Sequence, residues 1–362
     1  MSKNKRNVSE TAMMEYIRET PSSLTNILKN KKEILKPVFD NVKDIDLDQI
    51  IITGSGTSYH GGYAAKSLIE RLTKIPCEAY YPIPFVDAEK IVSDKTLIIG
   101  ISQGGESLST VKALNYGTEN GAITASLTAN DDGNRVSEAA KYQLELSCGP
   151  EYAGPKTKGY QATMLILMLL GLELALYKGT ISQSEYDDNI KRIEKTVANQ
   201  TRIIDTTIEW YERNAFELKG ANRILLVGYG NNYANVLEGR LKIQEAVRYG
   251  VEGYELEEFM HGIYHSIDEK VFLFYLVPEG DTKKRGVRLA EFLKDYTPFH
   301  YLIGNVEEKK RNLSNVFVDD KDYSVFEYIL PLQLIAYLLS KDLGINPNIP
   351  KIEGFHYLMG SK

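Results

Sequence analysis

Two loops rich in hydroxyl groups follow predicted strands in the first half of the chain. Gly100–Ser107 reads GISQGGES; an apolar run ends just before it and a helical pattern begins just after it. Hydroxyls, a carboxamide and backbone N–H groups at a helix N-terminus together suit a phosphate monoester. The loop has no lysine, so it is not the nucleotide loop G-x-x-x-x-G-K-[ST]. A similar loop, GSGTSYH at Gly54–His60, adds the hydroxyls of Ser55, Thr57 and Ser58.

A second group of chemically capable residues lies on one predicted helix, NVLEGRLKIQEAV. Glu238, Lys242 and Glu245 are spaced i, i+4 and i+7, which places them on one helix face. A carboxylate shielded from water can move a proton between neighbouring carbons. The alternative, equally open from spacing alone, is a solvated ion-pair face. His261 follows where turn residues begin; it could accept a hydroxyl proton or be an ordinary turn residue.

The elements that position these residues occur twice along the chain. An apolar strand, the pattern G-x-G-x-x-Y and a long amphipathic helix occur twice, offset by 174 residues (Gly54 to Gly228, for example). Short strands and helices alternate in both halves; NVFVDD at 315–320 answers the strand-like YQLELSC at 142–148. This order predicts an α/β fold with two tandem doubly wound, flavodoxin-like parallel-sheet domains related by internal duplication.

The same loops argue against a dinucleotide and assign the phosphate site to the first half. Neither reads G-x-G-x-x-G, since Tyr59 and Tyr233 occupy the sixth position. In the first half, no clear acidic residue that could bind a ribose ends the second strand, CEAYYPIPF. The second-half counterpart of GISQGGES, which reads VPEGDTKK, contains Glu279 and Asp281, which would repel an anion. The plainer alternative for the first-half serines is that they only cap helix N-termini.

Composition excludes several classes of protein. The chain has 362 residues, with 43 basic against 49 acidic side chains and a net charge of −6, which argues against a nucleic-acid binder. Two cysteines, Cys77 and Cys148, cannot build a disulfide framework. His265 follows His261 by four residues without a third ligand, so we expect no metal, and no other cofactor is indicated.

The chain is expected to be cytoplasmic and not membrane-bound. Its start shows no apolar secretory segment. The longest apolar run, Met164–Leu176, is interrupted by Glu173 and is too short to span a bilayer.

The predicted organisation begins with a helical segment that breaks and restarts at Pro21–Ser23. The predicted boundaries are 1–45 for that segment, 46–180 for the first domain, 181–215 for a helical connection, 216–345 for the second domain and 346–362 for a tail.

Four motifs identify a resemblance that covers nearly the whole chain, from Met13 to about Pro350. They are GSGTSYH (54–60), SQGGES (102–107), KTKGY (156–160) and EGRLKIQEAVRYGVEGYELEEFMHG (238–262). In these motifs the chain resembles the double-SIS (sugar isomerase) family, specifically the isomerase half of glucosamine-6-phosphate synthase and the fructosamine-6-phosphate deglycases, which lack a glutaminase domain.

The resemblance implies roles for named residues. Glu245 would move a proton between C1 and C2, and His261, from the neighbouring subunit, would open the sugar ring. Glu238 and Lys242 would complete that site, and the family's assembly implies at least a homodimer. The implied substrate and phosphate contacts are Gly56, Thr57, Ser58, Ser102, Gln103, Gly104, Ser107, Lys156 and Thr157.

Departures from the synthase narrow the expected activity. Gly104 stands where the synthase has a serine, and Gln244 stands where it has a lysine. In the C-terminal tail, Phe355 falls near the position of the synthase's Schiff-base lysine. Lys351 is close but out of register, and it and His356 are the two tail residues that could enter the site. The glutaminase part is absent. We therefore expect amine release from a 6-phosphorylated ketosamine or hexosamine. The open alternatives are a ketose–aldose isomerase, an amino-sugar phosphate aminotransferase-like enzyme and a non-catalytic sugar-phosphate sensor.

Overall fold

The structure is a computed structural model, and it describes residues 8–129 and 133–362. The first seven residues of the predicted N-terminal segment lie outside the described residues. Two parallel sheets of five and four strands, each covered by helices, confirm the predicted tandem α/β architecture.

The first sheet has the strand order β2-β1-β3-β4-β5, and every neighbouring pair is parallel. Its central strands are buried on both faces, as expected of a parallel sheet that helices cover on either side. The elements up to this point are α1 (Ala12–Val42), β1 (Gln49–Gly54), α2 (Thr57–Thr73), β2 (Cys77–Tyr80), α3 (Pro82–Asp87), β3 (Thr96–Ile101), α4 (Leu108–Glu119), β4 (Ile123–Thr128), α5 (Arg135–Glu138) and β5 (Tyr142–Glu145).

Three long helices follow: α6 (Lys158–Tyr177), α7 (Gln183–Ala198) and α8 (Gln200–Leu218). Among the described residues, α6 is long and apolar enough to cross a membrane, but 89% of its apolar window is buried inside the protein. The helix extends beyond the predicted apolar run Met164–Leu176 at both ends. Its burial is that of a core helix.

The second sheet has the order β7-β6-β8-β9, again entirely parallel. Its elements are β6 (Arg223–Gly228), a 3₁₀ turn (Gly230–Asn232), α9 (Tyr233–Ala246), β7 (Gly250–Glu255), α10 (Leu256–Phe259), a second 3₁₀ turn (Ile263–Ser266), β8 (Val271–Leu276), α11 (Lys283–Leu293), β9 (His300–Ile303), α12 (Val325–Asp342) and α13 (Phe355–Leu358).

The chain forms two compact units that are not contiguous in sequence. The first unit contains the first sheet and comprises Pro21–Gly149, Gly159–Ala198 and Ile352–Lys362. The second unit contains the second sheet and comprises Pro150–Lys158, Asn199–Lys351 and the described residues up to Thr20.

Two local predictions were wrong. Helix α1 continues through Pro21 instead of restarting there, since buried Ile17 and Leu24 maintain its apolar pattern on both sides of the proline and the Thr20 hydroxyl donates to Tyr16 O at 2.9 Å.

The segment 315–320 is not a fifth strand of the second sheet. Asn315 and Asp319 have positive φ angles of 58° and 59°, which strand residues do not adopt. Its backbone is bound by a side chain instead, because the buried Glu327 carboxylate accepts from Val318 N at 2.9 Å and Asp319 N at 2.8 Å.

Candidate phosphate and proton-transfer sites

The two hydroxyl-rich loops meet at the point where the first sheet reverses its strand order. Strands β1 and β3 are neighbours, while β2 lies on the far side of β1 and β4 on the far side of β3. The loops that leave such a pair at its carboxyl edge diverge and open a crevice, which is the usual ligand site of an open parallel sheet. Gly54–Ser58 follows β1, and Ser102–Ser107 follows β3. The topology thus brings the predicted phosphate residues of these two loops to one edge of the first unit.

The first loop turns tightly at two glycines. Gly56 has a φ of 57°, a conformation that favours glycine. A Cβ at Gly54 would lie 2.8 Å from Ser58 Cβ and 3.0 Å from Ile101 O, so the backbone passes too close for a side chain. Helix α2 therefore begins at Thr57 with its N-terminal N–H groups, and the partly exposed Ser58, at the crevice.

The second loop is held by backbone hydrogen bonds. Ser102 N donates to Leu127 O at 3.1 Å, and Gly105 N donates to Ser102 O at 2.9 Å. Ser107 caps α4, because its hydroxyl accepts from Thr110 N at 3.4 Å. The hydroxyls of Ser58 and Ser102 have no hydrogen-bond partner within the described parts of the chain, so both can donate to a ligand without breaking an internal bond.

The sequence did not predict that Asn134 packs against the second loop at Gly105. Gly105 has a φ of 69°, and a Cβ there would lie 2.3 Å from Asn134 Cγ. Asn134 is itself held, because its Oδ1 accepts from Ser137 N at 2.9 Å as the cap of α5. By contrast, a Cβ at Gly104 would meet nothing within 4 Å. In the sequence, the only sign of this contact is that Asn134 precedes a short helical pattern, and it lies about 30 residues after Gly105.

In the second unit, α9 brings Glu238, Lys242 and Glu245 together. Lys242 Nζ lies 3.3 Å from Glu238 Oε1 and 2.6 Å from Glu245 Oε2. The side chains of Lys242 and Glu238 are fully buried, whereas that of Glu245 is 38% exposed. The trio is therefore not a solvated ion-pair face.

The neighbouring carboxylates stabilise the charged form of Lys242. Burial alone would lower the pKa of Lys242, but the carboxylates of Glu238 and Glu245 outweigh it and raise that pKa above its usual value. The site thus holds one buried ammonium between two carboxylates, of which only Glu245 reaches the surface.

The packing around α9 explains why this trio is buried. Helix α9 packs against β7 on one side and the apolar helix α12 on the other. A Cβ at Gly239 would lie 2.3 Å from Leu332 Cδ1, so glycine allows α9 and α12 to approach closely. Because α12 packs so closely against α9 at Gly239, the neighbouring Glu238 and Lys242 are buried.

The loop after β8 in the second unit is acidic, as the sequence predicted. Glu279 N donates to Asp319 Oδ1 at 3.0 Å, and the Glu279 carboxylate pairs with Lys283. Burial raises the pKa of Asp319. This loop therefore carries the acidic side chains Glu279 and Asp281 where the first unit has hydroxyls, which disfavours a phosphate here.

The motif KTKGY begins α6 and is capped by a residue that the motif does not contain. Glu151 Oε1 accepts from Thr157 N at 2.6 Å, Thr157 Oγ1 at 2.7 Å and Lys158 N at 3.2 Å. Thr157 is fully buried, while the partly exposed Lys156 donates to Glu151 O at 2.6 Å. A substrate contact through Thr157 or Lys156 stays a prediction.

His261 lies apart from the trio on α9. It follows α10, its backbone N–H donates to Glu258 O at 3.0 Å, and its side chain is exposed. Over the described residues of the second unit, the imidazole forms no hydrogen bond or ion pair with Glu245 or any other side chain. The second unit therefore displays this histidine on its surface.

This architecture is similar to that of known proteins. Residues 45–172 match the SIS domain family. A glutamine–fructose-6-phosphate aminotransferase (isomerizing) of Pyrococcus horikoshii is 30% identical over 91% of this chain, which spans 56% of the length of that relative. A sugar-binding protein of Salmonella typhimurium LT2, so named provisionally, has a structure that is 35% identical, with a TM-score of 0.82 over 90% of this chain and 99% of that one.

One further structure covers both chains almost completely. A protein of Clostridium difficile 630, provisionally named a phosphosugar isomerase, is 35% identical, with a TM-score of 0.90 over 97% of this chain and 98% of that one. The chain therefore belongs to the SIS (sugar isomerase) domain family.

Proposed function

We propose that the protein is an enzyme that releases the amine from a 6-phosphorylated ketosamine or hexosamine, with Glu245 moving a proton between C1 and C2. The observation that carries the proposal is a surface-accessible glutamate held by a fully buried lysine. A charge-assisted hydrogen bond of 2.6 Å fixes one oxygen of that carboxylate. A general base needs such a fixed orientation toward the carbon from which it removes a proton.

The reaction balances without an oxidant or reductant. For a ketosamine, Glu245 removes a proton from C1, and the electrons of that C–H bond form a C1–C2 double bond while the C2 carbonyl oxygen takes up a proton. Return of a proton to C2 leaves a C1–N double bond. Water then adds to C1, the C1–N bond breaks, and aldose 6-phosphate and the free amine are released.

The phosphate anchor is proposed for the crevice of the first unit. Two unengaged hydroxyls, Ser58 and Ser102, and two helix N-termini supply donors suited to a phosphate monoester. The names of the relatives support a phosphosugar substrate, since one acts on fructose 6-phosphate and another is named a phosphosugar isomerase.

His261 is proposed to act in the site of a second subunit. Its exposed side chain supports this role, because a ring-opening histidine must reach a sugar. The same turn presents Tyr264, which is 42% exposed, and Met260. Aromatic and methionine side chains of this kind are enriched in subunit interfaces, so we propose a homodimer or larger homo-oligomer.

Two other functions remain as candidates. A ketose–aldose isomerase would use the same C1–C2 proton transfer without amine release. A non-catalytic sugar-phosphate sensor is favoured by one specific observation, the 35% identity to a structure named as a sugar-binding protein. A sensor would need the hydroxyl-rich loops and would have no use for the Glu245–Lys242 pair.

The test is a substrate screen with a matched pair of variants. Purified protein is incubated with fructosamine 6-phosphate, its lysine and amino-acid adducts, glucosamine 6-phosphate and fructose 6-phosphate, and free amine and aldose phosphate are measured. Glu245→Gln should lower the turnover of whichever compound reacts by about 100-fold or more, since it removes the base and preserves the shape. Glu212→Gln, an exposed glutamate on α8, is the control.

Each alternative has its own outcome. Conversion of fructose 6-phosphate without amine release from any adduct would support the isomerase. Binding of several 6-phosphates with no conversion would support the sensor. Equal turnover by Glu245→Gln and the parent protein would rule out Glu245 as the base.

A further inference from the structure

We infer that Gly159 is a positioning residue for the phosphate site, where the absence of a side chain lets Gln103 rest against helix α6. This inference rests on the proposed phosphate site in the first unit. A Cβ at Gly159 would lie 2.3 Å from Gln103 Oε1, 2.4 Å from Nε2 and 2.5 Å from Cδ. Because the three atoms are almost equally distant, the flat face of the carboxamide lies directly over the glycine.

The backbone at Gly159 does not itself require glycine. The residue lies in the first turn of α6 and has none of the positive φ angles found at Gly56 or Gly105. Glycine in a helix costs about 1 kcal/mol relative to alanine. In the first unit, the close approach of Gln103 is therefore the reason the structure offers for glycine at this position.

An added methyl group would move the Gln103 side chain and leave its backbone in place. Gln103 O accepts from Ala129 N at 3.1 Å, and the preceding Ser102 N donates to Leu127 O at 3.1 Å. These bonds attach the loop to β4, whereas the end of the Gln103 side chain, which lies against Gly159, can adopt another rotamer when a methyl group is added there. Gly159→Ala should thus displace the carboxamide from the phosphate crevice without unfolding the protein.

A stability measurement separates this role from a structural one. Alanine improves helix propensity, so Gly159→Ala should melt at the same temperature as the parent protein or higher. Phosphate affinity should nevertheless fall. A purely structural glycine would show the opposite, with lower stability and unchanged affinity in the folded protein.

The experiment measures binding of fructose 6-phosphate and of inorganic phosphate by titration calorimetry to the full-length protein. We expect Gly159→Ala to weaken both about tenfold or more, the scale of one lost hydrogen bond to a charged group. Gly171→Ala is the matched control. It lies in the same helix, and its new methyl group would meet the buried Ile69, with Cγ1 2.9 Å away, but it lies about three helical turns from Gly159. Its affinity should equal that of the parent protein.

A double-mutant cycle tests whether Gly159 acts through Gln103. Gln103→Ala should weaken phosphate binding by about the same factor as Gly159→Ala, and adding Gly159→Ala to it should cost nothing further. Parent-like affinity in either single variant, or additive losses in the double variant, would overturn the inference. Parent-like affinity of Gln103→Ala would overturn the inference even if Gly159→Ala fails to fold. A parent protein that binds neither ligand would instead refute the proposed phosphate site, and this inference with it.

Discussion

Lys242 Nζ lies 2.6 Å from Glu245 Oε2, and the lysine side chain is completely buried while 38% of the glutamate side chain is exposed. The pair therefore joins the interior of the second unit to its surface. A buried charge is stable only when its partners compensate for the lost hydration. Two glutamates do this for Lys242, and one of them remains accessible for chemistry.

Lys242→Met should destabilise the protein by about 3–5 kcal/mol at neutral pH, because it removes the cation beside the fully buried Glu238. Urea unfolding followed by circular dichroism measures the change. Lys270→Met, at an exposed position in the same unit, should change the free energy of unfolding by less than about 0.5 kcal/mol. A Lys242→Met variant as stable as the control would show that the buried carboxylate tolerates the loss of its cation.

The pH dependence of that difference has a defined direction. Folding raises the pKa of Lys242 above its usual value of 10.5, so the ammonium form is favoured in the folded state. Its contribution to the free energy of unfolding is fully present below pH 10.5 and is lost as the pH rises through the folded-state pKa. The stability difference between the parent protein and Lys242→Met should stay constant from neutral pH to about pH 10.5 and then shrink as the pH rises further. A difference that already declines near pH 8 would contradict this assignment.

Ser58→Ala and Ser102→Ala should each weaken binding of fructose 6-phosphate by about 1.5–3 kcal/mol, since each removes a hydroxyl that donates to a charged phosphate. Unphosphorylated fructose should bind equally to all variants. Ser67→Ala, on an exposed turn of α2, is the matched control and should bind like the parent protein. If the parent protein binds fructose and fructose 6-phosphate equally well, the hydroxyls do not form a phosphate site.

Mixing two inactive variants tests whether His261 acts across a subunit boundary. Glu245→Gln and His261→Ala proteins are mixed, allowed to exchange subunits, and assayed with the substrate identified by the screen. In a two-fold symmetric dimer, each mixed dimer regains one intact site, so it should show roughly half the activity of a parent dimer. Native mass spectrometry of differently labelled subunits verifies the exchange. Exchange without recovered activity would mean that His261 serves its own subunit or has no catalytic role.

The sequence by itself determined the architecture and the chemistry of the two loops. Strand, loop and helix signals are local, because each spans only a few residues of the chain. Examples are the apolar run before Gly54, the hydroxyls of Thr57 and Ser58, and the spacing of Glu238 and Lys242. The 174-residue repeat then predicted two parallel sheets, which the structure contains. The roles of the individual site residues stay predictions, because they depend on a bound substrate.

Only the tertiary structure decided which side chains are buried and which distant segments meet. Spacing alone left Glu238, Lys242 and Glu245 open between a solvated face and an interior site, because burial depends on the approach of α12 to α9 at Gly239. The contact between Gln103 and Gly159 joins residues 56 positions apart, so no local pattern reveals it.

The two wrong local predictions have the same cause. A proline usually ends a helix, yet α1 continues because buried Ile17 and Leu24 stabilise it on both sides of Pro21. The segment 315–320 has the composition of a strand, but Glu327 binds its backbone N–H groups in place of a neighbouring strand. In both cases long-range packing and hydrogen bonding outweigh the local preference, because they contribute more free energy than the propensity of a few residues.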